Sequence, residues 1–156
     1  MLKKLSYKDI KEQTLEIINS DLYSGFLHDD PVRPSIPILV RISNNKIAFA
    51  LTDLDDGNVH AVVCVAFTEE VITEESEVYQ DCKDPSVAMF YTVWSYSRGA
   101  GRDIIFKVKD YIEKNMPHIN RFVTLSPKTD MARKFHLRNG ATELQVNENT
   151  VNFEYS

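Results

Sequence analysis

The feature that most constrains the fold is a strand, a short turn and a helix that follow one another over residues 87–115. Val87–Ser95 carries aromatic and β-branched residues at both alternating positions, which predicts a central strand buried on both faces. Residues 102–115 carry apolar side chains with the spacing of a helix that packs on a sheet: Ile104, Ile105, Val108, Tyr111 and Ile112. We therefore expect a sheet built around this strand and covered by this helix.

Two segments before this unit show different periodicities. Tyr7–Ser20 places leucine and isoleucine among charged residues, which predicts an amphipathic helix with Ser6 as its cap. Lys46–Leu54 and Val59–Thr68 flank Asp55–Asn58, whose residue types predict the turn of a β-hairpin. The prolines between residues 30 and 38 argue against a long helix there.

The segments after this unit alternate in the same way. Arg121–Leu125 is apolar and short, as expected of another buried strand. Thr129 is placed to cap a helix over residues 130–139, and Gly140 is placed to end it. The tail reads as a terminal hairpin formed by Glu143–Val146 and Val151–Tyr155.

The predicted order is helix, hairpin, strand, helix, strand, helix, hairpin, which is typical of a mixed α/β or α+β fold. The chain has 156 residues, enough for one core and too few for two ordinary domains. No internal repeat or linker divides the sequence. We therefore predict one domain over residues 1–156.

The charge is unevenly distributed along the chain. Residues 1–97 hold 8 Lys and Arg against 16 Asp and Glu, whereas residues 98–156 hold 10 against 7, so an anionic ligand suits the second part. Clustered basic residues are absent from the sequence, which argues against nucleic-acid binding. The acidic run over residues 68–84 predicts a solvated loop after a strand.

Neither a membrane span nor a metal site is expected from the sequence. The apolar stretches near residues 61–67 and 87–94 are shorter than the roughly 20 residues of a spanning helix. The first residues are too polar for a secretory signal. Cys64 and Cys82 form no CxxC motif or Cys/His cluster, as expected of reduced structural cysteines in a cytoplasmic protein.

The turn between the central strand and its helix reads Ser97-Arg98-Gly99-Ala100-Gly101-Arg102. Its glycines would let the backbone approach a ligand closely, and the free N–H groups of the helix start would attract a phosphate. Glycine also serves such turns for steric reasons, so both interpretations remain open. The third glycine of a Rossmann motif and the Lys-Ser/Thr of a P-loop are absent from this turn.

This turn, with the strand before it and the helix behind it, resembles the acetyl-CoA signature of the GNAT superfamily of acyltransferases. Arg98 and Gly101 match the signature, and Asp103 occupies the position of its final small residue. The resemblance implies a GNAT-like mixed, mostly antiparallel central sheet flanked by helices. It also implies that a CoA thioester is bound by Val93, Arg98, Gly99, Ala100, Gly101, Arg102 and Asp103.

A more specific resemblance extends from about residue 87 to residue 141. Residues 89–93, 122–127 and 135–141, which read MFYTV, FVTLSP and FHLRNGA, resemble segments of the malonyl-CoA decarboxylases, whose catalytic domain belongs to the same superfamily. The resemblance implies that Ser126 and His136 are the catalytic pair. The long segment that separates these motifs in that family is reduced here to residues 128–134.

Such a decarboxylation needs neither metal nor organic cofactor, because the thioester carbonyl accepts the electrons released as CO2 leaves. It needs donors that stabilise the developing enolate oxygen, and an acid that protonates the carbon. Histidine has an ordinary pKa near 6.5 and can supply that proton near neutrality, which suits His136. Ser126 is placed to hydrogen-bond the malonyl carboxylate or the thioester oxygen.

Three functions remain open at this point. The first is the conversion of a malonyl thioester to an acetyl thioester and CO2. The second is an N-acyltransferase that moves acetyl from acetyl-CoA to an amine, in which the acidic first part attracts a cationic acceptor. The third is a non-catalytic acyl-CoA-binding module. The partner is a small-molecule CoA thioester (malonyl-CoA or acetyl-CoA) or an acyl carrier protein, and no metal is expected.

Overall fold

The computed structural model describes residues 12–156. Within them, eight strands form one sheet: β1 (Gln13–Ile18), β2 (Lys46–Asp53), β3 (Val59–Thr68), β4 (Val87–Ser95), β5 (Arg121–Thr124), β6 (Ser126–Pro127), β7 (Thr142–Val146) and β8 (Thr150–Tyr155). The helices are α1 (Ile38–Arg41), α2 (Ala100–Asn115) and α3 (Asp130–Arg138), with 3₁₀ helices at Ser24–Asp29 and Glu75–Tyr79.

The sheet is mixed and mostly antiparallel, as the sequence analysis predicts. Its order is β1-β2-β3-β4-β5-β8-β6, with β7 added to β8. The β4–β5 pair is parallel, and the other pairs are antiparallel. The predicted β2–β3 hairpin forms around Gly57, whose φ of 73° lies in the left-handed region that favours glycine.

The prediction of a helix over Tyr7–Ser20 is wrong where the structure describes that segment. Residues 13–18 form strand β1, which pairs with β2 from Gln13↔Asp53 to Ile18↔Ala48, and residues 7–11 lie outside the described residues. The apolar residues of this segment fit a strand as well as a helix. The free backbone groups along β2 decide between them, because pairing with β1 satisfies those groups.

Two apolar clusters cover the two faces of the sheet. The helix face, against which α2 and α3 pack, includes Phe49, Val63, Val65, Phe90 and Phe153. The opposite loop face, which the segments around α1 and the 3₁₀ helices cover, includes Ala50, Val62, Cys64, Tyr91 and Leu125. The consecutive residues of β3 and β4 therefore point into different clusters, which explains their unbroken apolar sequence.

The acidic run is more ordered than the predicted solvated loop. Its middle forms the 3₁₀ helix Glu75–Tyr79, and Glu74 and Glu77 make a reciprocal capping box at the start of that helix. Ile72 and Val78 are buried against the loop face. The run therefore buries Ile72 and Val78 and exposes most of its charges.

Candidate active site

A gap opens in the sheet where the parallel strands β4 and β5 part. Their register runs from Val87↔Arg121 to Phe90↔Thr124. Beyond it, β4 continues to Ser95, while the segment after β5 turns into β6, which pairs with β8. The β3–β4 register also shifts next to Cys64, so that Tyr91 lies in a bulge of β4 at the start of the gap. The carboxyl ends of parallel strands are a common place for ligands in α/β sheets.

Helix α2 begins at the far end of this gap. Gly99 precedes it with a φ of 86°, a left-handed conformation that favours glycine, while Arg98 and Gly99 are exposed. The first-turn N–H groups of a helix have no intrahelical acceptor and point outward at such a position. The predicted anion site therefore lies at an exposed turn before the helix start.

Gly101 has a different role from Gly99. It is buried, and a Cβ at this position would lie 3.4 Å from Cζ of Phe135 in α3. Glycine thus lets α2 pack closely against α3, which is the steric interpretation left open by the sequence. Ala100 is also buried, so the exposed groups of this turn belong to the residues on either side.

The charged residues of the first turn of α2 are held in different ways. Arg102 is exposed, and its guanidinium lies 5.2 Å from the ring centroid of Phe106. Asp103 is half-buried and has an interaction partner. Its carboxylate lies in the first turn of α2, where the positive end of the helix dipole stabilises a negative charge. Val93 is half-buried on the helix face beside the gap. Of the residues expected to bind CoA, Arg98, Gly99 and Arg102 are thus exposed and Val93 and Asp103 half-buried, whereas Ala100 and Gly101 are buried.

A chain of hydrogen bonds that the sequence analysis missed fixes the turn before α2. His60 Nε2 lies 2.8 Å from Asp53 Oδ1, and His60 Nδ1 lies 2.7 Å from Ser97 Oγ. The β2–β3 hairpin therefore holds the start of the Ser97–Arg102 turn. His60 carries no local sequence signal for this role, because Ser97 is 37 residues away.

His136 lies on α3 with its side chain packed onto the helix face of the sheet. The residue is 5% exposed, its ring stacks on Phe153, and its Nδ1 shares a hydrogen bond of 2.8 Å with Tyr155 Oη. Burial lowers the pKa of His136 from 6.5 to about 4 and raises the pKa of Tyr155 to about 12. Both side chains are therefore neutral near pH 7, in contrast to the expected imidazolium donor.

Asn139 is a further polar side chain beside this pair. Among residues 12–156, its buried Nδ2 lacks a hydrogen-bond partner. The side chain of Asn139 nevertheless lies close enough to Tyr155 to lower the pKa of that phenol, against the larger effect of burial. A buried donor without an acceptor is rare in folded proteins and carries an energetic cost. Asn139 belongs to the FHLRNGA segment, but the sequence analysis assigned it to the end of the helix.

Ser126 lies on the same face of the sheet as His136. It is 3% exposed, and its Oγ donates a hydrogen bond of 2.8 Å to Thr124 Oγ1. Ser126 pairs with Val151 on β8, and the ring of His136 stacks on Phe153, two residues further along that strand. Paired residues, and residues two apart on one strand, lie on the same face of a sheet, and two residues span about 7 Å of strand. Ser126 and the ring of His136 therefore lie on one face.

The described part of the chain has neither a metal-binding cluster nor a helix that could span a membrane. Among residues 12–156, no group of three or more His, Cys, Asp or Glu is arranged to hold a metal ion. No helix in the same part of the chain has the length and apolarity needed to cross a bilayer.

Comparison with known proteins identifies the fold. Neither a protein-family model nor a curated protein matches the sequence. A malonyl-CoA decarboxylase structure from Agrobacterium vitis matches with a TM-score of 0.63 and 21% identity over 87% of this chain, which spans 39% of that chain.

Shorter acetyltransferase structures match almost end to end. Arabidopsis thaliana NAA60, solved in complex with acetyl-CoA, gives a TM-score of 0.64 at 14% identity, with 92% of this chain and 99% of that chain covered. The GNAT domain of S. lividans PAT gives 0.59 at 14% identity, with 90% and 88% covered. At these identities the likeness concerns architecture, and the chain has a GNAT-like fold.

Proposed function

We propose that this chain is a CoA-thioester enzyme that converts a malonyl thioester to an acetyl thioester and CO2. The observation that carries the proposal is that Ser126 and His136 lie on one face of the sheet, where Ser126 pairs with Val151 of β8 and His136 stacks on Phe153, two residues further along β8. These residues also lie in the segments that resemble malonyl-CoA decarboxylases. The fold of the A. vitis enzyme, matched over 87% of this chain, is the architecture that the proposal needs.

In this proposal the thioester lies along the gap, with its phosphates at the start of α2. The exposed Arg98, the backbone of Gly99 and the side chain of Arg102 hold the pyrophosphate, whereas the N–H of Ala100 donates to the carbonyl oxygen of Ser97 and shapes the turn. Val93 contacts the phosphopantetheine arm that leads to the thioester. Gly101 lets α2 pack close to α3, and Asp103 lies in the same first turn of α2. The thioester is carried by CoA or by an acyl carrier protein, since both share the same phosphopantetheine chemistry.

The reaction requires an electron pair to move and a proton to be supplied. The bond between the carboxylate and the α-carbon breaks, CO2 leaves, and the electron pair forms an enolate on the thioester oxygen. The buried amide of Asn139 is one donor that would stabilise this oxygen, and Ser126 would be a second once its hydroxyl turns from Thr124 Oγ1 toward the substrate. A proton must then reach the α-carbon to give the acetyl thioester.

The His136–Tyr155 pair supplies that proton in the neutral form. With the Tyr155 hydroxyl donating to Nδ1, the His136 proton is on Nε2; this tautomer is assigned from the pairing. Transfer of the Nε2 proton to the α-carbon is accompanied by transfer of the Tyr155 proton to Nδ1, which leaves His136 neutral. The resulting phenolate recovers its proton from solvent, and the overall reaction consumes one proton.

The test is mass spectrometry of purified protein incubated with malonyl-CoA or acetyl-CoA without an acceptor. We expect acetyl-CoA to accumulate from malonyl-CoA, and His136→Ala and Ser126→Ala to be silent. His118→Ala is the matched control, because His118 is exposed on a loop. Malonyl-CoA that survives unchanged with the wild-type protein would overturn the proposal.

The second candidate is an N-acyltransferase that moves acetyl from acetyl-CoA to an amine. The near end-to-end match with NAA60 favours it, because this chain spans less than half of the decarboxylase chain. Here Tyr155 or His136 would protonate the departing thiolate. Thiol release from acetyl-CoA that depends on an added amine would support this function, whereas stabilisation by CoA without turnover of either thioester would indicate a binding module.

A further inference from the structure

Arg33 occupies the point where β4 and β5 part. The residue is 7% exposed on the loop face, its Nε donates to the carbonyl oxygen of Tyr91 at 2.8 Å, and its Nη2 donates to that of Leu125 at 2.6 Å. Tyr91 is the bulged residue of β4, and Leu125 directly follows β5. The guanidinium therefore bridges the two strands at the closed end of the gap.

The backbone of Arg33 is fixed as firmly as its side chain. Asp30 Oδ1 accepts hydrogen bonds from Arg33 N at 2.9 Å and from Thr92 Oγ1 of β4 at 2.9 Å. Asp30 Oδ2 pairs with Arg41 at 2.6 Å, and both side chains of that pair are fully buried. The loop that carries Arg33 is thus attached to the central strand, so the guanidinium is held in place before any ligand binds.

The charge of Arg33 is paired with a residue that is more exposed. Glu75 Oε1, at the start of the 3₁₀ helix Glu75–Tyr79, lies 3.0 Å from Nη1, and the two side chains are 38% and 7% exposed. Glu75 and the two carbonyl groups account for three of the five N–H donors of the guanidinium. The carboxylate of Glu75 is therefore already paired with the guanidinium of Arg33, on its solvent-facing side.

In the proposed pose the thioester follows β4 from α2 past Val93, so that its acyl end comes near Tyr91, two residues further along the strand, whose carbonyl binds Arg33. We propose that Arg33 binds the free carboxylate of the acyl group, so that the site selects thioesters of short dicarboxylic acids over acetyl thioesters. This inference rests on the proposed CoA-thioester function and names the substrate class of that site.

The inference predicts an effect on binding rather than on the chemical step. A guanidinium that holds the carboxylate stabilises the bound substrate more than the transition state, because the negative charge leaves the carboxylate as CO2 forms, so it lowers KM without raising kcat. Glu75 competes for the charge of the same cation, because a carboxylate already paired with Nη1 weakens the attraction of the guanidinium for a second carboxylate. Arg33 is therefore a specificity residue, and Glu75 limits the affinity that it provides.

The test measures binding by calorimetry in the His136→Ala background, which prevents turnover. We expect malonyl-CoA and succinyl-CoA to bind about tenfold or more tightly than acetyl-CoA, and Arg33→Gln to remove this preference. Glu75→Gln, a half-exposed change that spares the core, should tighten the binding of malonyl-CoA and leave acetyl-CoA unchanged. If Arg33→Gln does not fold, Glu75→Gln decides the question.

The outcomes separate this inference from the proposed function. Equal binding of malonyl-CoA and acetyl-CoA, with no response to Glu75→Gln, would overturn the role of Arg33 and leave the CoA-thioester site intact. Failure of every CoA thioester to bind would overturn the proposed function together with the inference. CoA without an acyl group serves as the reference ligand, since it lacks the carboxylate and keeps the phosphates.

Discussion

Tyr155 Oη lies 2.8 Å from His136 Nδ1, and both side chains are buried on the helix face of the sheet. Burial keeps the two groups neutral, with a pKa of about 4 for His136 and about 12 for Tyr155. The hydrogen bond therefore joins a neutral imidazole to a protonated phenol. Any acid chemistry at this position uses the pair together, because neither group carries a readily released proton by itself near pH 7.

The first prediction concerns the pH dependence of decarboxylation. Because His136 is neutral well above pH 4 and Tyr155 is protonated below pH 12, kcat should stay flat between about pH 6 and about pH 9. An imidazolium acid with an ordinary pKa would instead lose activity above about pH 6.5. Tyr155→Phe should reduce kcat by about tenfold or more without a comparable change in KM.

The second prediction concerns stability at acid pH. The unfolded chain binds a proton on His136 below pH 6.5, whereas the folded chain binds it only near pH 4, so stability falls as the pH drops through this range. The contribution of this group reaches about 3 kcal/mol. Urea unfolding at pH 7 and near pH 4.5 should show a smaller loss for His136→Gln than for the wild type. An equal loss in both proteins would contradict the assigned burial effect.

The third prediction separates catalysis from packing at Ser126. Ser126→Ala removes the donor to Thr124 Oγ1, but that oxygen keeps the hydrogen bond from Phe153 N at 3.0 Å. We expect a loss of about 1 kcal/mol in unfolding free energy and a much larger loss of activity, about a hundredfold. A fall in activity no greater than the fall in stability explains would show that Ser126 is structural.

The fourth prediction concerns the turn before α2. His60→Ala breaks the link from Asp53 to Ser97 and frees the turn, so all CoA ligands should bind several-fold more weakly, in the same proportion. The ratio of malonyl-CoA to acetyl-CoA affinity should not change, in contrast to the Arg33 variant. Titration calorimetry gives both values, and unchanged affinity for CoA itself would place the phosphates elsewhere.

The fifth prediction concerns the buried pair that supports Arg33. Asp30→Asn leaves the Arg41 guanidinium fully buried without its counter-ion, which should cost about 3–5 kcal/mol of unfolding free energy. Glu113→Gln is the matched control, since Glu113 pairs with Lys109 at the surface of α2 and its loss should cost about 1 kcal/mol or less. Similar denaturation midpoints for the two variants would contradict the importance of the Asp30–Arg41 pair.

Several elements were predictable because their signals are local. Periodicity and turn residues within each segment predict four of them: the central strand, the β2–β3 hairpin, the helix after the Ser97–Arg102 turn and the terminal hairpin. Thr129 caps α3 as predicted, and its Oγ1 accepts from Ala132 N. Strand β1 was missed because its six residues fit both periods, and pairing with β2 decided its conformation.

The sequence by itself determined the order of the main elements from β2 onward, the mixed sheet and the segments that carry Ser126 and His136. The tertiary structure decided what surrounds those residues, because burial and hydrogen-bond partners come from distant parts of the chain. Tyr155 meets His136 across 19 residues, and Arg33 reaches Leu125 across 92. No local pattern encodes such contacts or the burial that lowers the pKa of His136, and the Arg33 contact places a cation at the end of the gap.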